Sequence, residues 1–268
     1  MNGPMPKAID HILVLVRDLA AASVDYTAAG FTVTPGGRHT DGATHNALIS
    51  FADGTYLELI APASRDCLPD DGFLSRLRRG EGLTQYALGA DDLAVEAARL
   101  RDRGVPTVGP GDGGRERPDG QRVHWRMLAA HPDSAVLPFL IADVTPRALR
   151  VPGGAAARHR LGVTRVVGLT VAVADLPTRA RELGDLLGTT GRALDLSGVG
   201  AAVQFAVGTQ WVVLAQPADD TSLPGRALAT WGEGPYEVAL SAGRHAAPGV
   251  GALLPSALLH GARFRMVP

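Results

Sequence analysis

The chain is short of cysteine, of aromatic residues, of net charge and of long apolar runs. Its one cysteine, Cys67, excludes an internal disulfide framework, a cysteine zinc site and a dithiol redox motif, and fits a reducing cytoplasm. A formal net charge of -1, with arginines scattered along the chain, gives no electrostatic footprint for nucleic acid or an anionic membrane. Small molecules are the expected partners. The apolar run 12–16 stops at Arg17 and Asp18, and residues 166–174 are too few to cross hydrocarbon, so neither a secretion signal nor a membrane span is expected. No Ser-His-Asp grouping stands out, and Cys67 has no placed histidine partner. The glycines of residues 109–114 are interrupted by Pro110 and lead into no Gly-Lys-Ser/Thr, which excludes a phosphate loop.

What is present is a repeat. With 268 residues and 46% hydrophobic content the chain can bury two ordinary cores. His11-Ile12-Leu13-Val14-Leu15-Val16-Arg17-Asp18-Leu19 is answered by Gly168-Leu169-Thr170-Val171-Ala172-Val173-Ala174-Asp175-Leu176, and Phe51-Ala52-Asp53-Gly54-Thr55 by Phe205-Ala206-Val207-Gly208-Thr209. These landmarks set His11 opposite Gly168 and Glu58 opposite Val212, so one copy carries metal-binding side chains and the other does not.

Periodicity predicts a strand over residues 8–16, a helix over 20–29 ended by Gly30, a strand over 31–34, a polar loop opened by Gly36 and Gly37, and a hairpin of 46–51 and 55–60 about Asp53-Gly54. The order is βαβββ. A second unit runs through strand 83–88, helix 93–103, and strands 106–108, 123–128 and 137–141. A third covers 163–215, and a truncated fourth has strands at 236–240 and 263–267. The expected fold class is α+β, with repeated βαβββ units forming two cupped mixed sheets and helices outside. Residues 1–145 form the equipped half, 146–161 a linker whose basic Arg158-His159-Arg160 is solvated, and 162–268 the degenerate half.

Asp10-His11 in the first strand, Thr44-His45-Asn46-Ala47-Leu48 and residues 54–60 with Glu58 resemble the vicinal oxygen chelate superfamily, in its glyoxalase-like branch. Arg117-Pro118-Asp119-Gly120 and Trp125-Arg126 add to the resemblance. It implies paired units that form a cup, with a divalent metal bound from first and fourth strands.

Strand alternation alone puts His11 with Ile9, Leu13 and Leu15 on one face, and Glu58 with Tyr56 and Ile60 on another. If those faces coincide, the imidazole and the carboxylate converge. A carboxylate in an apolar strand needs a cation or strong donors, either a metal or a neighbouring arginine or backbone amides. The resemblance implies Gln85 as third ligand, while the fourth position, near residues 138–140, offers none. His11, Glu58 and Gln85 suit Mn, Fe(II), Ni, Co, Mg or Zn and single out none. His124 and Arg126 are read as lining the cup opposite a core of Val123, Trp125 and Met127. His124 or Glu58 would then serve as base, and Arg126 as anchor for a substrate anion or as partner of Glu58. Asn46, Tyr56 and Arg117 complete the expected substrate contacts, Arg115 and Arg117 flanking a flexible loop, and His45 points away.

The resemblance implies metal-dependent isomerase, lyase, epimerase or dioxygenase chemistry on a small oxygen-rich metabolite, in a cytoplasmic monomer or homodimer. Its alternative is a metal-free protein that sequesters an antibiotic-like small molecule in the same cup.

Overall fold

The computed structural model describes residues 8–64, 72–131, 134, 136–196, 199–241 and 251–268, so that Cys67 lies outside the described residues. In the first half, β1 (Ala8–Leu15), α1 (Leu19–Ala28), β2 (Thr34–His39), β3 (Thr44–Ser50) and β4 (Tyr56–Pro62) form one βαβββ unit. The second unit consists of β5 (Gly82–Gly89), α2 (Leu93–Asp102), β6 (Thr107–Glu116), β7 (Arg122–Ala130) and β8 (Phe139–Asp143). A short α3 (Arg147–Arg150) leads to β9 (Arg165–Ala172), α4 (Leu176–Leu187), β10 (Arg192–Leu196), β11 (Gly200–Val207) and β12 (Gln210–Pro217). After them come α5 (Leu223–Trp231), β13 (Gly234–Ser241), β14 (Ala252–Leu253) and β15 (Phe264–Val267).

The repeated Asp-Leu landmark is a helix cap. Asp18, Asp92 and Asp175 each accept hydrogen bonds from the first free backbone amides of α1, α2 and α4, satisfying donors that a helix start leaves without partners. Asp53 turns the β3 and β4 hairpin by accepting from the amide and hydroxyl of Thr55, with Gly54 at φ +86°.

The first eight strands close into a barrel in the order β1-β4-β3-β2-β6-β7-β8-β5, and the other seven form an open sheet, β10-β11-β12-β9-β13-β15-β14. The fold is α+β with two mixed sheets. A continuous apolar core joins the outward faces of both sheets to the helices, through Ile12, Val14, Tyr26, Leu57, Leu100, Leu169, Leu183 and Leu214. Polar links cross between the sheets as well. The Gln210 side chain accepts from the Ile9 amide at 2.7 Å and donates to the Val166 carbonyl at 2.9 Å.

Four sequence expectations change. β2 runs over residues 34–39, through the glycines read as a loop: Gly37 lies at φ +134°, where a Cβ would lie 1.8 Å from the Glu116 carbonyl oxygen. β6 is a ten-residue strand rather than a short strand and a flexible loop. A bulge between Ile9 and His11 turns Ile9 to the outer core, away from the face of His11 and Leu13. The linker is docked, since His159 accepts from the Thr32 amide through Nδ1 and donates through Nε2 to the Ser50 carbonyl, each at 2.9 Å.

Candidate active site in the barrel

The barrel interior is stoppered at both ends. Beyond Leu15 a short 3-10 segment, Phe73–Arg78, packs Leu74 and Leu77 onto Leu13, Leu15 and Ile60. At the Asp10 end, α3 inserts Arg150, which is 1% exposed. Its guanidinium donates to both oxygens of Asp10 (2.8 and 3.0 Å) and of Asp143 (2.5 and 3.1 Å), and to the Tyr56 hydroxyl at 2.8 Å. Arg147 adds a bond to Asp10 at 2.6 Å. Two carboxylates and two guanidiniums thus form a charge-balanced plug.

Between the stoppers lies a cavity of about 480 Å³. Its apolar wall comes from Leu13, Ile60, Phe73, Trp125, Met127 and Phe139; its polar patch is His11, Glu58, His39, Asn46, Gln85 and Arg115. Parallel pairing sets His11 beside Tyr56 and Leu13 beside Glu58, and the His11 and Tyr56 rings stack at 4.6 Å. Asp10 accepts from His11 Nδ1 at 2.8 Å, which holds a proton there and turns Nε2 toward Glu58 Oε2 at 3.5 Å. Burial opposes ionisation of Asp10, yet hydrogen bonds from His11 and Arg150 hold its carboxyl well below the usual range.

Glu58 is 6% exposed. Its Oε1 accepts from Asn46 Nδ2 at 2.6 Å and faces His39 Nε2 at 3.6 Å. Burial pushes its carboxyl up, but His11, His39, Asn46 and Arg115 outweigh burial and hold it below its ordinary value. Asn46 Nδ2 is also 3.4 Å from His39 Nε2, so that nitrogen is the acceptor and Nδ1 donates to Thr44 Oγ1 at 2.6 Å. Two imidazoles with their outer nitrogens engaged therefore turn their inner nitrogens toward one buried carboxylate.

Those donors are the nitrogen and oxygen types that a divalent first-row ion takes, held by hydrogen bonds at their far sides. Separations of 3.5 and 3.6 Å between donor atoms are close to the roughly 3.0–3.4 Å edge that bond lengths near 2.1 Å imply around one ion. Among the described residues no three of His, Cys, Asp and Glu stand in a ready-made metal cage. The donor chemistry fits an ion; the side chains have not closed on one.

The structure brings together His11, Glu58, Asn46, Tyr56 and Gln85 on the cavity wall. It does not bring His124, Arg126 or Arg117 there. β7 turns Val123, Trp125 and Met127 inward and leaves His124 and Arg126 exposed, the latter beside Asp112 at 3.4 Å and far too open to pair with Glu58. In a barrel the inside is itself apolar, so the apolar face of β7 is the cup face, and choosing it as buried core inverts the assignment. Arg117 is tied to Asp119 and to the Leu149 carbonyl. His45 lies off the cavity. The fourth ligand position is Phe139, edge-on to His11 at 5.5 Å. One functional candidate, His39, was missed, and a second, Arg115, was read only as flanking a flexible loop. They are Cα partners across the junction of β2 and β6 that closes the barrel, and the strand alternation that found His11 would have found both had the glycine-rich segments been read as strands.

A sequence profile described as a glyoxalase-like domain matches residues 9–187, well over half of the chain. No curated protein sequence matches it. Among solved structures, a hypothetical protein from Staphylococcus aureus aligns with TM-score 0.71 at 14% identity, over 96% of this chain and 98% of that one. A triple mutant of 4-hydroxymandelate synthase from Streptomyces coelicolor aligns with TM-score 0.56 at 17% identity, over 88% and 71% of the two chains. A fusion of a xylose isomerase-like TIM barrel with 4-hydroxyphenylpyruvate dioxygenase gives TM-score 0.52 at 16% identity, over 89% and 37%. At these identities the likeness is one of fold. Among the described residues no helix is long and apolar enough to cross a membrane.

Proposed function

Because this chain belongs to the glyoxalase-like domain family, we propose that its barrel is the active half of a divalent-metal-dependent enzyme acting on a small oxygen-bearing molecule. The division at residues 146–161 then separates that half from a scaffold half. The observation that carries the proposal is Glu58: a buried carboxylate with no arginine within ion-pair distance among the described residues, facing an imidazole nitrogen whose tautomer Asp10 fixes. His11 Nε2 and Glu58 Oε2 are the atoms to hold the ion, with the Gln85 amide oxygen as a neutral third donor on the same wall. A bound ion supplies Lewis acidity toward a substrate carbonyl or enolate oxygen, which suits isomerase, lyase or epimerase chemistry.

Asn46 occupies Glu58 Oε1 and keeps that carboxylate from rotating. His39 Nε2, with its proton on Nδ1, is the base that takes a proton from bound substrate and returns it, the role first sought in His124. The apolar wall excludes water from the proton being moved.

Metal content by mass spectrometry, on tag-free protein reconstituted with Mn, Fe(II), Ni, Co, Mg or Zn, tests the proposal. About one equivalent is expected in the native protein, and none in the His11→Ala/Glu58→Ala variant. Uptake of no ion by the native protein would sink it. Metal-free sequestration of a small molecule would then lead, a reading favoured by the wide apolar wall.

A further inference from the structure

Arg115 is 2% exposed and lines the cavity. Its neighbours in the strand pairings, His39 on β2 and Val123 on β7, direct their side chains to the same interior. Several other buried or half-buried arginines meet carboxylates: Arg150 has Asp10 and Asp143, Arg99 has Glu96, Arg179 has Glu233 and Glu182, and Arg265 has Glu237. Arg115 has none within 4.0 Å among the described residues. Its single hydrogen bond there runs from Nη2 to the Arg150 carbonyl at 2.7 Å, which fixes the plane of the guanidinium, and its Nε is buried without a partner.

An unpaired buried cation is costly, and a donor left without an acceptor adds to the cost. A ligand anion removes both. Glu58 acts on it only across a distance, with no ion pair within 4.0 Å, and its oxygens already face Asn46 and the two imidazoles. Beside Arg115 β6 lines the cavity with Gly111, Gly113 and Gly114, which carry no side chain, and with Asp112 between them. Trp125 and Met127 on the neighbouring β7, together with Phe139, give the same cavity an apolar wall.

We propose that Arg115 anchors the carboxylate of the ligand, so that the barrel takes small organic acids with an apolar body. The inference rests on the barrel interior being the small-molecule site. One free guanidinium edge against an otherwise apolar wall matches a carboxylate monoanion better than a phosphate dianion, which calls for more donors. Arg115 fills the role first given to Arg126 and holds the acid beside His39 and Glu58.

Phenylacetate and phenylacetamide, which share a shape and differ in charge, are suitable probes for titration calorimetry. The native protein is expected to bind the acid at least about tenfold more tightly than the amide. In Arg115→Met acid binding falls to the level of the amide, in Arg115→Lys part of the preference returns, and in Arg126→Met nothing changes. Should Arg115→Met not fold, the Arg115 Nε-H resonance of the native protein, assigned through Arg115→Lys, is expected to move with the acid and stay with the amide. Equal binding of the two probes, binding of neither, or full acid binding in Arg115→Met would overturn the assignment. Metal uptake, measured separately, keeps the two proposals apart: acid preference without metal uptake retains the anchor and loses the metalloenzyme, and the reverse result does the opposite.

Discussion

In the barrel the parallel pair β1 and β4 sets His11 against Tyr56 and leaves Glu58 facing a cavity; in the open sheet the equivalent pair, β9 and β12, sets Gly168 under Trp211. A Cβ on Gly168 would lie 2.1 Å from the indole ring, so the indole fills the space that the His11 ring occupies in the other copy. Pairing also shows a one-residue slip that the matched landmarks conceal. Glu58 is matched by Val213, on the concave face, whereas Val212 joins the common core. Carboxylates fare differently as well. Glu237 of the open sheet is met by Arg265 at 2.6 Å and Arg263 at 3.4 Å, while Glu58 is met by imidazoles and an amide. Neutralisation by arginine makes a carboxylate inert; leaving it to groups with exchangeable protons and lone pairs makes it chemically available.

The contrast can be broken most severely at the plug. Arg150→Met leaves Asp10 and Asp143 buried without their shared cation and is expected to cost about 3–5 kcal/mol in urea unfolding; a loss below 1 kcal/mol would show that the plug does not hold the barrel. Asp10→Asn is milder, about 2 kcal/mol, because the amide keeps one acceptor. It also carries a pH signature. The Asp10 carboxyl is held well below its unfolded value of 3.8, so its stabilisation is fully present above that value and is lost progressively as the pH falls below it. The gap between native and Asp10→Asn proteins should narrow over that interval, and a constant gap would contradict the assigned ionisation. Gly168→Ala sharpens the other side of the comparison: with the indole in the way, about 1–3 kcal/mol is expected, without change in metal uptake. Smallest is Arg126→Ala on the outer barrel face, within about 0.5 kcal/mol by the same assay.

Much of the architecture was legible because its signals are local. Gly30, Gly104 and Gly188, all at positive φ, closed helices where expected, and alternation along β1 and β4 paired His11 with Glu58. Three features resisted for physical reasons. Pro35-Gly36-Gly37 and the glycines of β6 carry the composition of a loop and the conformation of a strand: a Cβ on Gly37 would meet the Glu116 carbonyl of β6, and one on Gly109, Gly113 or Gly114 would meet Met127, Trp125 or Val123 of β7. That hid His39 and Arg115. The facing of β7 was inverted because its apolar side, Val123, Trp125 and Met127, faces the barrel interior, while its outer side is exposed at His124 and Arg126. The slip of β12 leaves no trace in composition, since Trp211, Val212 and Val213 are all apolar.

Gly111 differs from its glycine neighbours on β6. It lines the cavity, its φ is not positive, and a Cβ placed on it meets nothing within 4 Å, whereas one on Gly113 would lie 2.4 Å from the Trp125 nitrogen. The molecule therefore carries an adjustable stop in its wall. Alanine, then valine, at this single position would add one and then three side-chain carbons to the wall and shorten the longest acceptable guest in steps, so a graded set of pore gauges is one codon away.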